Sequence, residues 1–328
     1  VNVLEVLMKK YHQMQSKSPV EKIDALKRRA SRIKKIRKYF EKQNVLEVDT
    51  PILSEKAVSD IHIESISATV DNKKNFLQTS PEFFMKRILA MCSADIYQIC
   101  KVFRDHEKGS LHSPEFTMVE WYRMNFTLQD IINDTCQLIS LILTNNQNKL
   151  IRDTWTYQDI FIHYLGIDPI NDEIKEIIEH FKFDKSLIDE FKEDKDQYLN
   201  YLFATEITNK FKNNQLTVVS HFPASQAALA RITPNNDMLS DRFEVFFSDI
   251  ELANGYVELT DSNELKKRIK KDQAFRKKNG LAIRPIDNDF IQAMEDGLPS
   301  CSGVALGYDR LNMIAEGKNT LQEINLFI

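Results

Sequence analysis

Ala94-Asp95-Ile96-Tyr97-Gln98-Ile99-Cys100-Lys101-Val102-Phe103 and Glu115-Phe116-Thr117-Met118-Val119-Glu120-Trp121-Tyr122 flank a polar run, residues 104–114, with Gly109 inside it. Both flanks are rich in β-branched and aromatic residues, which favour strands. Together they read as one long antiparallel hairpin with a mobile tip. Working outward, Leu77-Gln78-Thr79 is strand-like and runs into a helical stretch, 83–91. Residues 128–143 read as a helix, and 154–212 as helical and variable in charge. Residues 242–247 alternate as a strand does, and 250–260 keep β character. Residues 265–279 form a charged helix, and 303–315 pass from strand to helix. Toward the start, 45–53 reads as a strand entering an extended segment before Pro51. Ser18-Pro19-Val20-Glu21 is a capping box with proline at the first helical position. Strands outnumber parallel βαβ units, so the expected fold class is α+β, with an antiparallel β-sheet flanked by helices.

The 328 residues carry 44 Lys plus Arg against 48 Asp plus Glu, a net charge of −4. That near-neutral balance argues against a dedicated nucleic-acid binder. No apolar run reaches the ~18–20 residues that span a bilayer. The four cysteines, Cys92, Cys100, Cys136 and Cys301, form no C-x-x-C pair. A zinc ribbon or disulfide frame is therefore not expected, and a reducing cytoplasm is the plain reading. The helix from Pro19 carries Lys27, Arg28, Arg29, Arg32, Lys34, Lys35, Arg37 and Lys38. This is either a solvated face or a docking surface for an acidic partner.

The chain has no P-loop, no G-x-G-x-x-G, no H-E-x-x-H and no G-x-S-x-G elbow. Phosphate would have to be held another way. Arg104 closes a strand at the hairpin mouth, and Arg310 follows Gly303-Val304-Ala305-Leu306-Gly307-Tyr308-Asp309. Arginine forks suit phosphate, and glycines let backbone approach a ligand. Glu251 and Glu258 are candidate magnesium ligands. Seven residues apart, they would face opposite sides of a regular strand. An irregularity at Asn254-Gly255 is therefore predicted, unless the segment is a plain hairpin with two solvent-facing acids. Ser80-Pro81-Glu82 suits a helix N-terminus, and Tyr122 shares a strand face with Glu120, Met118 and Phe116.

Taken together, these segments resemble a known family. Asp49-Thr50-Pro51 resembles motif 1 of the class II aminoacyl-tRNA synthetases, their dimer segment. Val102-Phe103-Arg104 through His112-Ser113-Pro114-Glu115-Phe116 resembles motif 2. Gly303 through Leu311 resembles motif 3. Thr79-Ser80-Pro81-Glu82, Glu251-Leu252-Ala253-Asn254-Gly255 and Glu258-Leu259-Thr260-Asp261 point to the lysyl branch. Three further stretches are similar to its stand-alone paralogues, which modify elongation factor P: residues 117–123, 221–227 and 299–307. The resemblance implies residues 1–19 as an N-terminal tail or helix. It implies 20–328 as one catalytic domain with a helical insertion near 154–212 and no anticodon-binding domain.

What the resemblance implies for function is ATP-dependent activation of (R)-β-lysine and its transfer to a lysine ε-amine of elongation factor P. Magnesium, a cytoplasmic homodimer, no membrane and no tRNA are implied with it. Ser80, Glu82, Tyr122, Glu258 and Ala305 would contact the lysine-type substrate. Arg104, Asp105, His106, Glu107, Ser113, Glu251, Leu252, Gly307 and Arg310 would line the ATP site. Arg104, Arg310 and Glu251 would carry catalysis, with Glu251 and Glu258 reaching Mg2+. Two departures stand out. The family's Phe-Arg-Asn-Glu is here Phe103-Arg104-Asp105-His106-Glu107, so either His106 or Glu107 meets adenine. Ser113 replaces an asparagine. A truncated lysyl-tRNA synthetase and a non-catalytic regulator are the competing readings.

Overall fold

The structure, a computed structural model, describes residues 18–57, 63–144 and 150–326. The expectation for residues 1–17 lies outside them. An eight-stranded sheet runs in the order β1-β5-β6-β11-β10-β9-β8-β7. Its strands are β1 (Leu46–Glu47), β5 (Ile96–Phe103), β6 (Glu115–Met124), β7 (Arg152–Thr156), β8 (Leu216–Pro223), β9 (Leu239–Phe247), β10 (Ile250–Val257) and β11 (Cys301–Gly307). Only the end pairs, β1 with β5 and β7 with β8, are parallel. A small sheet, β2 (Leu53–Ser54), β3 (Ser67–Val70) and β4 (Lys73–Leu77), sits beside it. The α+β reading holds, and β5 and β6 form the long hairpin, paired from Ile96↔Tyr122 to Phe103↔Glu115.

Side chains alternate across a strand, and here the two faces do different work. Val119, Trp121, Val304, Leu306, Phe243 and Val245 point to one side. There they pack on helix α1 (Pro19–Glu41), helix α3 (Leu128–Leu143) and the helix Tyr308–Ala315. Trp121 is fully buried, next to Phe40. Their sequence neighbours Glu120, Tyr122, Gly303, Ala305, Glu244 and Tyr256 face the other side, which is the cleft. Helix α1 starts at the expected capping box, with the Ser18 Oγ accepting from the Glu21 amide.

The predicted irregularity in β10 exists, but not at Asn254-Gly255. Those residues pair regularly with β9 and β11. The register slips between Glu251 and Ala253, a bulge at Leu252. The extra residue reverses the alternation upstream of it. Glu251, opposite Phe246, thus shares the face of Asn254 and Tyr256.

The stretch 154–212 begins in strand β7 and continues through four short helices, Tyr157–Leu165, Ile174–Phe181, Lys185–Phe191 and Lys195–Leu202. Tyr157, Phe161, Phe203 and Phe222 give it a core of its own against β8. The basic face of α1 is largely used within the molecule. Arg28 and Arg32 hold Glu316, Arg29 pairs with Asp309 at 2.7 Å, and Arg37 with Glu47 at 2.9 Å.

Candidate active site

The open face of the sheet lines a cleft of about 1970 Å3. Gly303, Ala305 and Gly307 of β11 form its floor. Glu120 and Tyr122 flank them on one side, Asn254 and Tyr256 on the other. Ala305 lies between Asn254 and Glu120 in the ladder. The floor must be bare at Gly303: a Cβ there would stand 2.4 Å from Glu258 Oε1 and 2.4 Å from Tyr122 Cε1. Gly307 differs, since a Cβ would meet only Arg310 Cδ and the Leu252 carbonyl, both at 3.9 Å. The protein does not need glycine there; a ligand lying close to the backbone would.

One end of the cleft is a buried acidic pocket. Helix α2 (Glu82–Cys92) begins at its edge. Ser80 Oγ donates to Glu120 Oε2 at 2.9 Å and accepts from the Glu82 amide at 3.0 Å. Tyr122 donates to Glu120 Oε1 and Tyr256 to Glu82 Oε1, each at 2.7 Å. Lys86, one helical turn after Glu82, donates to Glu82 Oε1 at 2.7 Å and lies 2.5 Å from Glu258 Oε2. Among the described residues, no donor reaches Glu258 Oε1 or satisfies the buried Asn254 Oδ1. Burial raises the carboxyl pKa of Glu120 and Glu258, and repulsion from Glu82 adds to the shift. Tyr122 and Ser80 oppose it at Glu120, and Lys86 opposes it at both. Burial works against the Lys86 charge, but Glu258 and Glu82 outweigh it, and its pKa rises. Such a pocket, rich in carboxylate and short of donors, suits ammonium groups.

The other end is cationic. Arg104 spans from the Thr79 carbonyl (3.3 Å) to Glu107 (3.5 Å), its guanidinium 5.2 Å above the Phe116 ring. Arg310 donates to the carbonyls of Leu111 (3.1 Å) and Glu251 (2.9 Å) and contacts His112 Nε2 at 2.8 Å. Burial and then the Arg310 charge lower the His112 pKa, with Glu107 and Glu251 opposing the shift. Glu251 Oε2 is 3.5 Å from Arg310. On β9, Glu244 accepts from Arg242 (2.6 Å) and Asn254 (3.1 Å). Burial raises the Glu244 pKa; Arg242 opposes the shift and the Glu251 charge adds to it.

Most of the predicted site residues meet here. Ser80, Glu82, Tyr122, Glu258, Ala305, Arg104, Glu107, Ser113, Glu251, Leu252, Gly307 and Arg310 all line the cleft. Asp105 and His106 do not: both are exposed, and His106 sits in the left-handed region at φ 61°. After that turn the next residue, Glu107, lies back in the cleft lining. Glu251 and Glu258, expected as joint magnesium ligands, have different partners here. Glu258 is committed to Lys86, and the acid whose charge couples to Glu251 is Glu244. Among the described residues no group of three or more His, Cys, Asp or Glu side chains could hold a metal ion. A magnesium at Glu244 and Glu251 would therefore share its ligands with phosphate oxygens, its usual habit. Two close carboxylates, one with a raised pKa, fit that cation.

Lys86, Glu244, Tyr256 and His112 escaped the reading of the chain. Signals existed: Lys86 follows Glu82 by four on a helix, and Glu244 alternates with Arg242 in phase along β9.

Residues 5–328 match the family model of class II tRNA synthetases (D, K and N). Over 315 residues, 94% of this chain and 96% of the relative, it is 42% identical to the elongation factor P–(R)-β-lysine ligase of Mannheimia succiniciproducens. The Vibrio parahaemolyticus protein of that name is 42% identical over 94% of this chain and 97% of its own. That of Avibacterium paragallinarum is 41% identical over 94% and 96%. With the motifs, the sheet and the cleft in agreement, the chain belongs to the class II tRNA synthetases of the D, K and N type.

Proposed function

We propose that this chain activates (R)-β-lysine with ATP and transfers it to a lysine ε-amine of elongation factor P, in the cytoplasm. The observation that carries the reading is the joining, in one cleft, of a buried carboxylate pocket to a two-arginine corner. Glu82, Glu120 and Glu258 receive the ammonium groups of the substrate. Its carboxylate, already ionised at neutral pH, then lies toward Arg104 and attacks the α-phosphorus, breaking the α–β anhydride bond and releasing pyrophosphate to leave the acyl-adenylate. No general base is needed for that step. Catalysis rests on alignment and on charge stabilisation by Arg104 and Arg310. Glu244 and Glu251 would hold magnesium, which when bound would supply positive charge against the phosphates. Gly307 leaves room for the nucleotide, and Glu107 takes the adenine contact that His106, facing solvent, does not make.

The test is the intact mass of purified elongation factor P after incubation with this protein, Mg-ATP and (R)-β-lysine. Parallel tubes hold α-lysine, or total tRNA in place of the factor. A gain of one lysyl unit on the factor, faster with (R)-β-lysine, is expected. Charged tRNA with an unmodified factor would make the chain a reduced synthetase instead.

A further inference from the structure

Lys86 places an ammonium in a pocket that the proposed reaction needs for the substrate's own ammonium groups. It is 2% exposed, and its Nζ lies within 2.7 Å of Glu82 and 2.5 Å of Glu258. The Tyr256 ring lies 5.5 Å from it. A buried lysine that only filled space would be better replaced by an apolar chain. A buried charge signals a role for that charge.

The charges of the pocket can be counted. Three carboxyl groups, Glu82, Glu120 and Glu258, face one ammonium, Lys86. With all three ionised, as when bound ammonium groups replace the protons that burial favours on Glu120 and Glu258, two negative charges are left for the ligand to match. We propose that Lys86 is a specificity-determining residue that sets this excess at two, so that the pocket accepts an amino acid carrying two ammonium groups. The proposal rests on the substrate reading above and deepens it. One substrate ammonium meets Glu258 Oε1, which lacks a donor, and the other lies toward Glu120. A substrate with a single ammonium leaves a buried carboxylate unpaired. Sites built for polar groups reject such analogues by ~10^4-fold or more.

The titratable groups facing Lys86 are Glu82 on its own helix, Glu120 and Tyr122 on β6, Tyr256 and Glu258 at the end of β10, and Cys301 on β11. Without Lys86, Glu120 and Glu258 lose the charge that opposes their raised pKa, and they retain protons to higher pH. The substrate must then displace those protons to bind.

The test is amino-acid-dependent ATP–pyrophosphate exchange from pH 6 to 9, with the wild-type protein, Lys86→Met and Lys86→Arg. In Lys86→Met, the KM for (R)-β-lysine should rise at least tenfold at pH 7, with the KM for ATP within twofold of wild type. The pH below which the amino-acid KM climbs should move up by at least one unit. Lys86→Arg keeps the charge and should keep the wild-type pH midpoint. The wild type should use 3-aminohexanoate and 6-aminohexanoate, each lacking one amine, at least 100-fold less well. A KM change that is the same at every pH, or shared equally by ATP, would make Lys86 a packing residue and overturn the proposal. So would efficient use of either analogue, which is readable even if Lys86→Met fails to fold. Absence of exchange with any diamino acid would instead overturn the substrate reading, and the proposal with it.

Discussion

A single methyl group separates a working floor from a blocked one at Gly303. A Cβ there would lie 2.4 Å from both Glu258 Oε1 and Tyr122 Cε1, distances real side chains do not adopt. Tyr122 is held at 2.7 Å by Glu120, and Glu258 by Lys86, so neither can yield cheaply. Gly303→Ala should raise the KM for (R)-β-lysine by one to two orders of magnitude, about 1.4–3 kcal/mol, and leave ATP binding within about threefold. Steady-state exchange kinetics in both substrates check this; an unchanged amino-acid KM would place the substrate elsewhere. At this scale much of the site was legible. Arg104, Glu107, Glu251, Glu258 and Arg310 carry motif spacing that survives in one dimension. Lys86 was not, because helices carry lysines on solvated faces far more often than buried ones. Its burial is decided by β6, β10 and β11 packing over Glu82 and Glu258, which no local pattern records.

At the scale of elements, the first helix is fixed from both sides. Its Tyr39 hydroxyl donates to the Asp134 carboxylate on α3, which also accepts from Trp121 Nε1 at 3.1 Å. Burial, and then the Asp134 charge, push the Tyr39 pKa up, so the phenol stays a donor. Asp134→Ala would leave Trp121 Nε1 unsatisfied in the core and Tyr39 with only the Asp134 carbonyl at 3.2 Å, with Arg123 facing the gap 3.9 Å from where the carboxylate stood. It should cost about 2–4 kcal/mol, read as a lower urea midpoint at unchanged slope; a shift under about 0.5 kcal/mol would show that water replaces the carboxylate. Helix borders were legible where caps mark them: Leu128–Leu143 and the start at Ser18 agree with the pattern. The site of the β10 bulge was not. Its need followed from the parity of Glu251 and Glu258. Its place depends on the register with Phe246 and Val245 of β9, a long-range fact. Strand β7 was also missed, because five residues at a sheet edge give too short a run for alternation to stand out.

For the whole molecule, the sheet is divided by face: one side buries Trp121 and Leu306, and the other holds charge. This lets the acidic pocket and the arginine corner sit on one rigid platform, where loops would hold them less well. At the edge of the sheet, Leu46, Ile52 and Leu53 are 57%, 41% and 39% exposed, beside the stretch that resembles motif 1. We propose that a homodimer, which the motif 1 resemblance implies, covers them. Sedimentation velocity at micromolar concentration should give a dimer, and Leu46→Asp with Leu53→Asp should give a folded monomer. A monomeric wild-type protein would contradict the proposal. Among the described residues, no helix is long and apolar enough to cross a membrane.

We propose that one cleft joins a diamino-acid pocket to a phosphate corner and makes an acyl-adenylate there. The most direct measurement is a single turnover of the protein with Mg-ATP and (R)-β-lysine, without any acceptor, quantifying pyrophosphate and enzyme-bound adenylate. Close to one pyrophosphate and one β-lysyl-adenylate per active site are expected, with Arg310→Ala at least 100-fold slower. Stoichiometric ATP binding with no pyrophosphate and no adenylate would contradict it, and would make the chain a binding protein built on a synthetase fold.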